Sequence, residues 1–173
     1  MNAPRVLGVA LVASVLATAG APTSRPNSSW IVRLRTFGPV RYGMTPAQLS
    51  GVLRRRVLVA EGCDYVGGAP LPAGTMLMVE GGKVGRVDVD SGSIATASGI
   101  HIGSTRADVR RAYQGHIRPG PAPYGGERDS DLVFVPGDAA DSLFRIVFEL
   151  DGDTVTRFRA GMLPQIAYIE GCS

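Results

Sequence analysis

Few residues in this chain have a type and spacing that could do chemistry. It has two histidines, His101 and His116, and two cysteines, Cys63 and Cys172. His101 falls on the entry to a predicted helix and His116 just past its end. A zinc site needs further Cys or His ligands at short spacing, and none accompany them, so no metal is expected. The segment Asp88-Val89-Asp90-Ser91-Gly92-Ser93 begins like a calcium loop. Its glycine arrives before a third oxygen ligand, so a strand end and turn is the better reading. There is no G-x-S-x-G elbow, no P-loop and no Gly-x-Gly-x-x-Gly string. The chain reads as a non-enzyme with no cofactor.

The residues suited to holding a partner are Tyr65, His116, Tyr124 and Arg128, because Tyr and Arg supply much of the energy at interfaces. The last three lie in a Gly/Pro-rich stretch, and long ordered loops are more often functional than short ones. Core packing beside a disulfide accounts equally well for Tyr65, and disorder equally well for the stretch. Arg54-Arg55-Arg56 reads as a solvated helix end, where cations suit the dipole.

Residues 1–19 have the form of a signal peptide. Arg5 precedes an apolar run from Val6 to Leu16, and Ala17-Thr18-Ala19 offers a cleavage site. The run is too short to span a bilayer. Residues 20–29 read as a disordered leader, and 30–173 as a single domain. The expected location is periplasmic or secreted. Only one pairing of the two cysteines exists, and in an oxidising compartment they are expected to form a disulfide. Net charge is +3, or +2 without Arg5, too small to argue for nucleic acid.

The elements that must position these residues come from one string used twice. Gly43-Met44-Thr45-Pro46-Ala47-Gln48-Leu49 returns sixty positions later as Gly103-Ser104-Thr105-Arg106-Ala107-Asp108-Val109. Thr45 suits an N-cap, Pro46 the first helical position and Gln48 the reciprocal half of a capping box. Thr105 and Asp108 repeat the device, and Gly115 suits a left-handed end. Each helix is followed by a predicted hairpin: Thr75–Val79 with Lys83–Val89, and Leu143–Leu150 with Thr154–Arg159. In both outgoing strands two apolar residues stand three apart, Val84 with Val87 and Val155 with Phe158. That spacing predicts a bulge or a strand buried on both faces. The hairpins differ by 71 rather than 60, so the second copy carries eleven extra residues within Gly115–Asp141. Further strands are expected at Trp30–Arg35, Val57–Val59, Tyr65–Val66 and Ile166–Ile169.

The fold class expected is α+β: two tandem helix-plus-β-meander repeats, about 37–99 and 100–173, forming an antiparallel sheet with helices packed on one face. The doubled Gly-Met-Thr helix start with its meander resembles the β-lactamase-inhibitory-protein fold. In single copy the unit is similar to the small outer-membrane-assembly lipoprotein of Gram-negative bacteria. The resemblance implies an exported binding protein with a curved sheet as contact surface. No cysteine follows the apolar run, so lipid anchoring is not implied. The partner expected is a protein or a cell-envelope polymer, glycan included; the alternative is an envelope-assembly or structural factor, and a small hydrolase ranks last.

Overall fold

The structure, a computed structural model, describes residues 30–120 and 131–172. The chain opens with a two-stranded ribbon, β1 (Thr36–Phe37) and β2 (Val40–Arg41), and then helix α1 (Pro46–Leu53). Next come β3 (Cys63–Val66), β4 (Thr75–Glu80) and β5 (Lys83–Val89). Helix α2 (Arg106–Ala112) precedes β6 (Ile117–Pro119), β7 (Leu132–Phe134), β8 (Phe144–Asp151) and β9 (Thr154–Met162). Among the described residues, β3 to β9 form one seven-stranded sheet in the order β3-β4-β5-β9-β8-β7-β6, antiparallel at every pairing.

Both helices start as their residues dictate. Thr45 accepts from the Gln48 amide while the Gln48 side chain takes the Thr45 amide, and Thr105 and Asp108 do the same. Thr45→Ala removes the acceptor for one first-turn amide and is expected to cost about 1 kcal/mol. A urea titration of the variant against wild type checks this.

Each helix entry is then laced to an outgoing strand in the same way. Gly43 N–H donates to Val84 O (2.7 Å), and Val84 N–H donates to Met44 O (2.8 Å). Gly103 N–H donates to Val155 O (2.8 Å), and Val155 N–H to Ser104 O (2.9 Å). The three-residue apolar spacing is a bulge in both strands. Val79 faces Val84 and Met78 faces Arg86, which leaves Gly85 unpaired. Leu150 faces Val155 and Glu149 faces Arg157, which leaves Thr156 unpaired. The extra residue resets the alternation, so Val87 and Phe158 turn inward again.

The inner face of the sheet and the helices share one core. Leu49, Leu53 and Val109 of the helices pack in the same cluster as Leu77, Val87, Phe148 and Phe158 of the sheet. The Tyr113 ring lies 4.8 Å from Phe134 and 5.5 Å from Phe148. The two hairpins meet through β5 and β9, where Val87 faces Ala160, Asp88 faces Arg159 and Val89 faces Phe158. Shifting every number by 71 turns the Val87–Ala160 pair into the Val89–Phe158 pair. These three pairs are thus related about Asp88 opposite Arg159, while the fourth pair, Arg86 with Gly161, has no counterpart in the ladder.

Four expectations are corrected. Trp30–Arg35 alternates in burial as expected but forms no strand; Val32 makes only isolated bridges, to Phe37 and Thr96. Val57–Val59 pairs with nothing, because the Val57 amide is taken by the Ser50 hydroxyl (3.0 Å). Ile166–Ile169 is not a last strand: Gln165–Ala167 form a 3₁₀ turn. The additional residues of the second half are not all loop, since β6 and β7 lie there with a 3₁₀ turn at Ala139–Asp141.

Candidate functional site

Alternation along β4, β5, β8 and β9 sends a second set of side chains to the face of the sheet opposite the helices. On β5 these are Arg86 and Asp88, on β9 Arg157 and Arg159, on β8 Glu149. Charges at every second position of strands whose other side chains are core would be costly unless paired. They are paired, and much of the pairing is with the chain's own C-terminal segment.

That segment, Leu163 to Cys172, runs across the outer face as a strap. Arg86 is 3% exposed and spends four N–H groups. Its Nε donates to Asp88 Oδ2 (3.0 Å), one terminal nitrogen to Gln165 O (2.8 Å) and Tyr168 O (2.6 Å), the other to Tyr65 Oη (2.8 Å). Arg159 donates from Nε to Ile166 O (2.9 Å) and pairs with Glu149. Gln165 reaches Glu80 Oε2 (2.8 Å). Gly85 lets the strap lie this close, and Gly161 lets β9 lie close to β5 at Arg86. A Cβ on Gly85 would meet Gln165 Cγ at 2.6 Å, and one on Gly161 would meet Arg86 Cβ at 2.4 Å. The far end is held by the Cys63–Cys172 disulfide, the one pairing the two cysteines allow.

Between strap and sheet lies a cavity of about 310 Å³. Arg86, Asp88, Glu149, Arg157 and Arg159 line it from the strands, Tyr65 and Met76 from the β3–β4 side, and Ile169, Glu170 and Gly171 from the strap. A second hollow of about 530 Å³ shares Ile169, Glu170 and Gly171 and borders the disulfide. The end of the strap is therefore a partition with a hollow on each side. The first has the convergent charged groups and half-buried apolar walls of a binding cleft.

Burial sets the electrostatics here. The Asp88 carboxyl is pushed above the usual range by burial, with the Arg86 charge pulling it back. Burial also raises the Tyr65 phenol, helped by Asp88 and opposed by Arg86. Asp64 sits at the sheet edge and accepts the amides of Ala60 (2.8 Å) and Tyr65 (2.7 Å), which hold its carboxyl low. Those two bonds fix the backbone that carries Tyr65.

Asp131, just before β7, is buried, and its carboxyl is raised to about 6 by burial first and the Glu149 charge second, against the pull of Arg159. Its native pKa exceeds the unfolded value of about 3.9, so its contribution is fully present below pH 4 and lost as pH rises through 6. Asp131→Asn is expected to match wild type near pH 3.5 and to gain about 2–3 kcal/mol over it at pH 8. Urea midpoints at the two pH values give the comparison; a pH-independent difference would contradict it.

Of the residues singled out in the sequence, Tyr65 lies in this cavity. His116 does not: it sits at the opposite edge of the sheet, its Nδ1 3.3 Å from Val135 O and its ring 5.9 Å from Phe134. Tyr124 and Arg128 lie outside the described residues. Asp88 and Val89 belong to β5, and residues 91–93 after them to a bend. Arg55 is not simply solvated: one terminal nitrogen donates to Gly67 O (2.6 Å). Arg86, Asp88, Glu149 and Arg159 were missed. The available signal was Arg86-x-Asp88 and Arg157-x-Arg159 at equivalent places after the two bulges. No group of three or more metal-ligating side chains occurs among the described residues, and no described helix is long and apolar enough to cross a membrane. Compared with protein-family models, with curated proteins and with solved structures, the chain gives no match.

Proposed function

We propose that this is an exported, non-enzymatic binding protein that holds a protein or cell-envelope ligand on the outer face of its sheet. The observation that carries this reading is the 310 Å³ cavity between strap and sheet, where Tyr65 and five paired charges converge. Export is supported by the leader-like first 19 residues and by the disulfide, which persists in oxidising compartments. The matched capping boxes, lacings and bulges support descent of the two halves from one duplicated unit. They also support the resemblance to the β-lactamase-inhibitory-protein fold.

The test is capture of partners from an envelope extract by the folded protein, with Ile169→Trp beside wild type. Ile169 is a half-exposed wall of the cavity, so the larger ring fills the space without changing charge. A partner set held by wild type and lost on the variant supports the reading; equal capture by both removes the cavity from it. A hydrolytic turnover abolished by one Ser, His or Asp substitution would overturn the non-enzyme reading.

A further inference from the structure

The binding reading leaves the ligand's chemistry open, and the donors and acceptors around the cavity narrow it. Arg86 has spent four of the five N–H groups a guanidinium owns. Arg159 gives Nε to the strap and its next nitrogen to Glu149. Arg157 stands over the other oxygen of Glu149 at 3.6 Å. Arg86 and Arg159 are thus largely committed to the protein itself, while Arg157, its side chain 61% exposed, makes only that one ion pair among the described residues.

Glu149 is committed likewise, to Arg159 and Arg157, but the other acceptors are less so. Asp88 gives Oδ2 to Arg86, while its Oδ1 accepts nothing from the described residues. Asp90 and Glu170 are exposed at the rim. Four carboxylates, Asp88, Asp90, Glu149 and Glu170, line the cavity against three guanidiniums. Met76 and Ile169 add apolar walls, both part-exposed at 38% and 42%. An anionic guest would meet only the exposed Arg157 with N–H groups to spare, against four carboxylates. A sugar would seek a broad aromatic platform, and Tyr65 is the one partly exposed ring in the lining. A long aliphatic stem ending in a cation satisfies both the walls and the floor.

We propose that this cavity receives an arginine or lysine side chain presented by a protein partner. The stem packs between Met76 and Ile169, and the cationic head meets Asp88 Oδ1, with Asp90 and Glu170 at the mouth. The inference rests on the binding reading and names the chemistry of its guest. The volume, near the lower end of the roughly 300–1,000 Å³ usual for ligand sites, suits one side chain rather than a peptide segment.

The test is an NMR titration of the isotopically labelled, disulfide-intact protein with acetyl-Gly-Arg-Gly-amide. The same peptide with citrulline, which keeps the shape and loses the charge, is the control, and N-acetylglucosamine is a third arm. The Ile169 methyl and Asp88 carboxyl signals are expected to move and saturate with the arginine peptide. Citrulline should bind at least about tenfold more weakly, as charge-assisted bonds are about twice as strong as neutral ones. Asp88→Asn should weaken the arginine peptide by about tenfold. Asp90→Asn, at an exposed site, should weaken it less and keeps the test alive if the first variant folds poorly. Equal binding of the citrulline peptide, no saturable shift at the cavity, or a response to the sugar alone would overturn the proposal. Partner capture lost on Ile169→Trp without peptide binding would sink this inference and leave the broader reading. Peptide binding with no partner captured would do the reverse.

Discussion

Replacing Cys63 and Cys172 together with serine is expected to lower stability by up to about 4–5 kcal/mol, the chain-entropy value for a closed loop of this size. The residues are 109 apart in sequence, so the bridge removes much freedom from the unfolded chain. The effect should not stop at the global midpoint. Cys172 anchors a strap whose inward carbonyls, at Gln165, Ile166 and Tyr168, take hydrogens from Arg86 and Arg159. Once the anchor is cut, the wall formed by Ile169 to Gly171 is free to leave. Guanidinium denaturation measures the first effect. Hydrogen exchange of the strap amides measures the second, and should accelerate more than that of β8. A serine pair with an unchanged midpoint and unchanged strap protection would refute both.

Arg86→Met is expected to cost about 3–5 kcal/mol, the usual penalty for removing one partner of a buried charge pair. The side chain leaves behind Asp88, two backbone carbonyls of the strap and the Tyr65 hydroxyl. Arg86→Lys should recover little, since an ammonium has no planar fork to reach all four acceptors. Adding Asp88→Leu to Arg86→Met removes the stranded carboxylate and should restore part of the loss. It cannot restore all of it, because Tyr168 O still lacks the Arg86 donor and Gln165 O keeps only the Tyr168 amide. A thermodynamic cycle over the four proteins tests this coupling, which should exceed 1 kcal/mol for groups in direct contact. Additive losses would mean that Arg86 acts through the strap alone.

The features legible in the sequence are local ones. Thr45-x-x-Gln48 and Thr105-x-x-Asp108 each place donor and acceptor within one turn, so the helix starts needed no tertiary information. The bulges were legible because Val84 with Val87, and Val155 with Phe158, break a period of two. Tyr65 was marked by residue type and by its place beside Cys63, and it does line the cavity. Apart from Val57–Val59, whose amide goes to the nearby Ser50, the failures depend on partners far along the chain. Ile166–Ile169 has the composition of a strand, but Arg86 and Arg159 take the carbonyls of Gln165, Ile166 and Tyr168, so the segment never joins a ladder. Trp30–Arg35 has the right burial, yet Val32 donates to Ala95 O and accepts from Ala97 N–H, which halts pairing after one residue. Arg86 and Asp88 look like solvated strand residues until the strap covers them. His116 lies away from the cavity because position after a helix says nothing about which sheet edge the next strand will occupy.

The register between β5 and β9 has a kinetic meaning. Each hairpin closes over a few residues and can form within microseconds. Joining them requires Val89 to find Phe158, about seventy residues away, and that search is what sets the pace in topologies rich in distant contacts. Amides at Val87, Val89, Phe158 and Ala160 should then be the slowest to exchange in the intact protein, and substitutions there should slow refolding more than matched changes in the outer strands. The seam at the middle of the sheet, formed at the step that sets the folding rate, would also be the last to open.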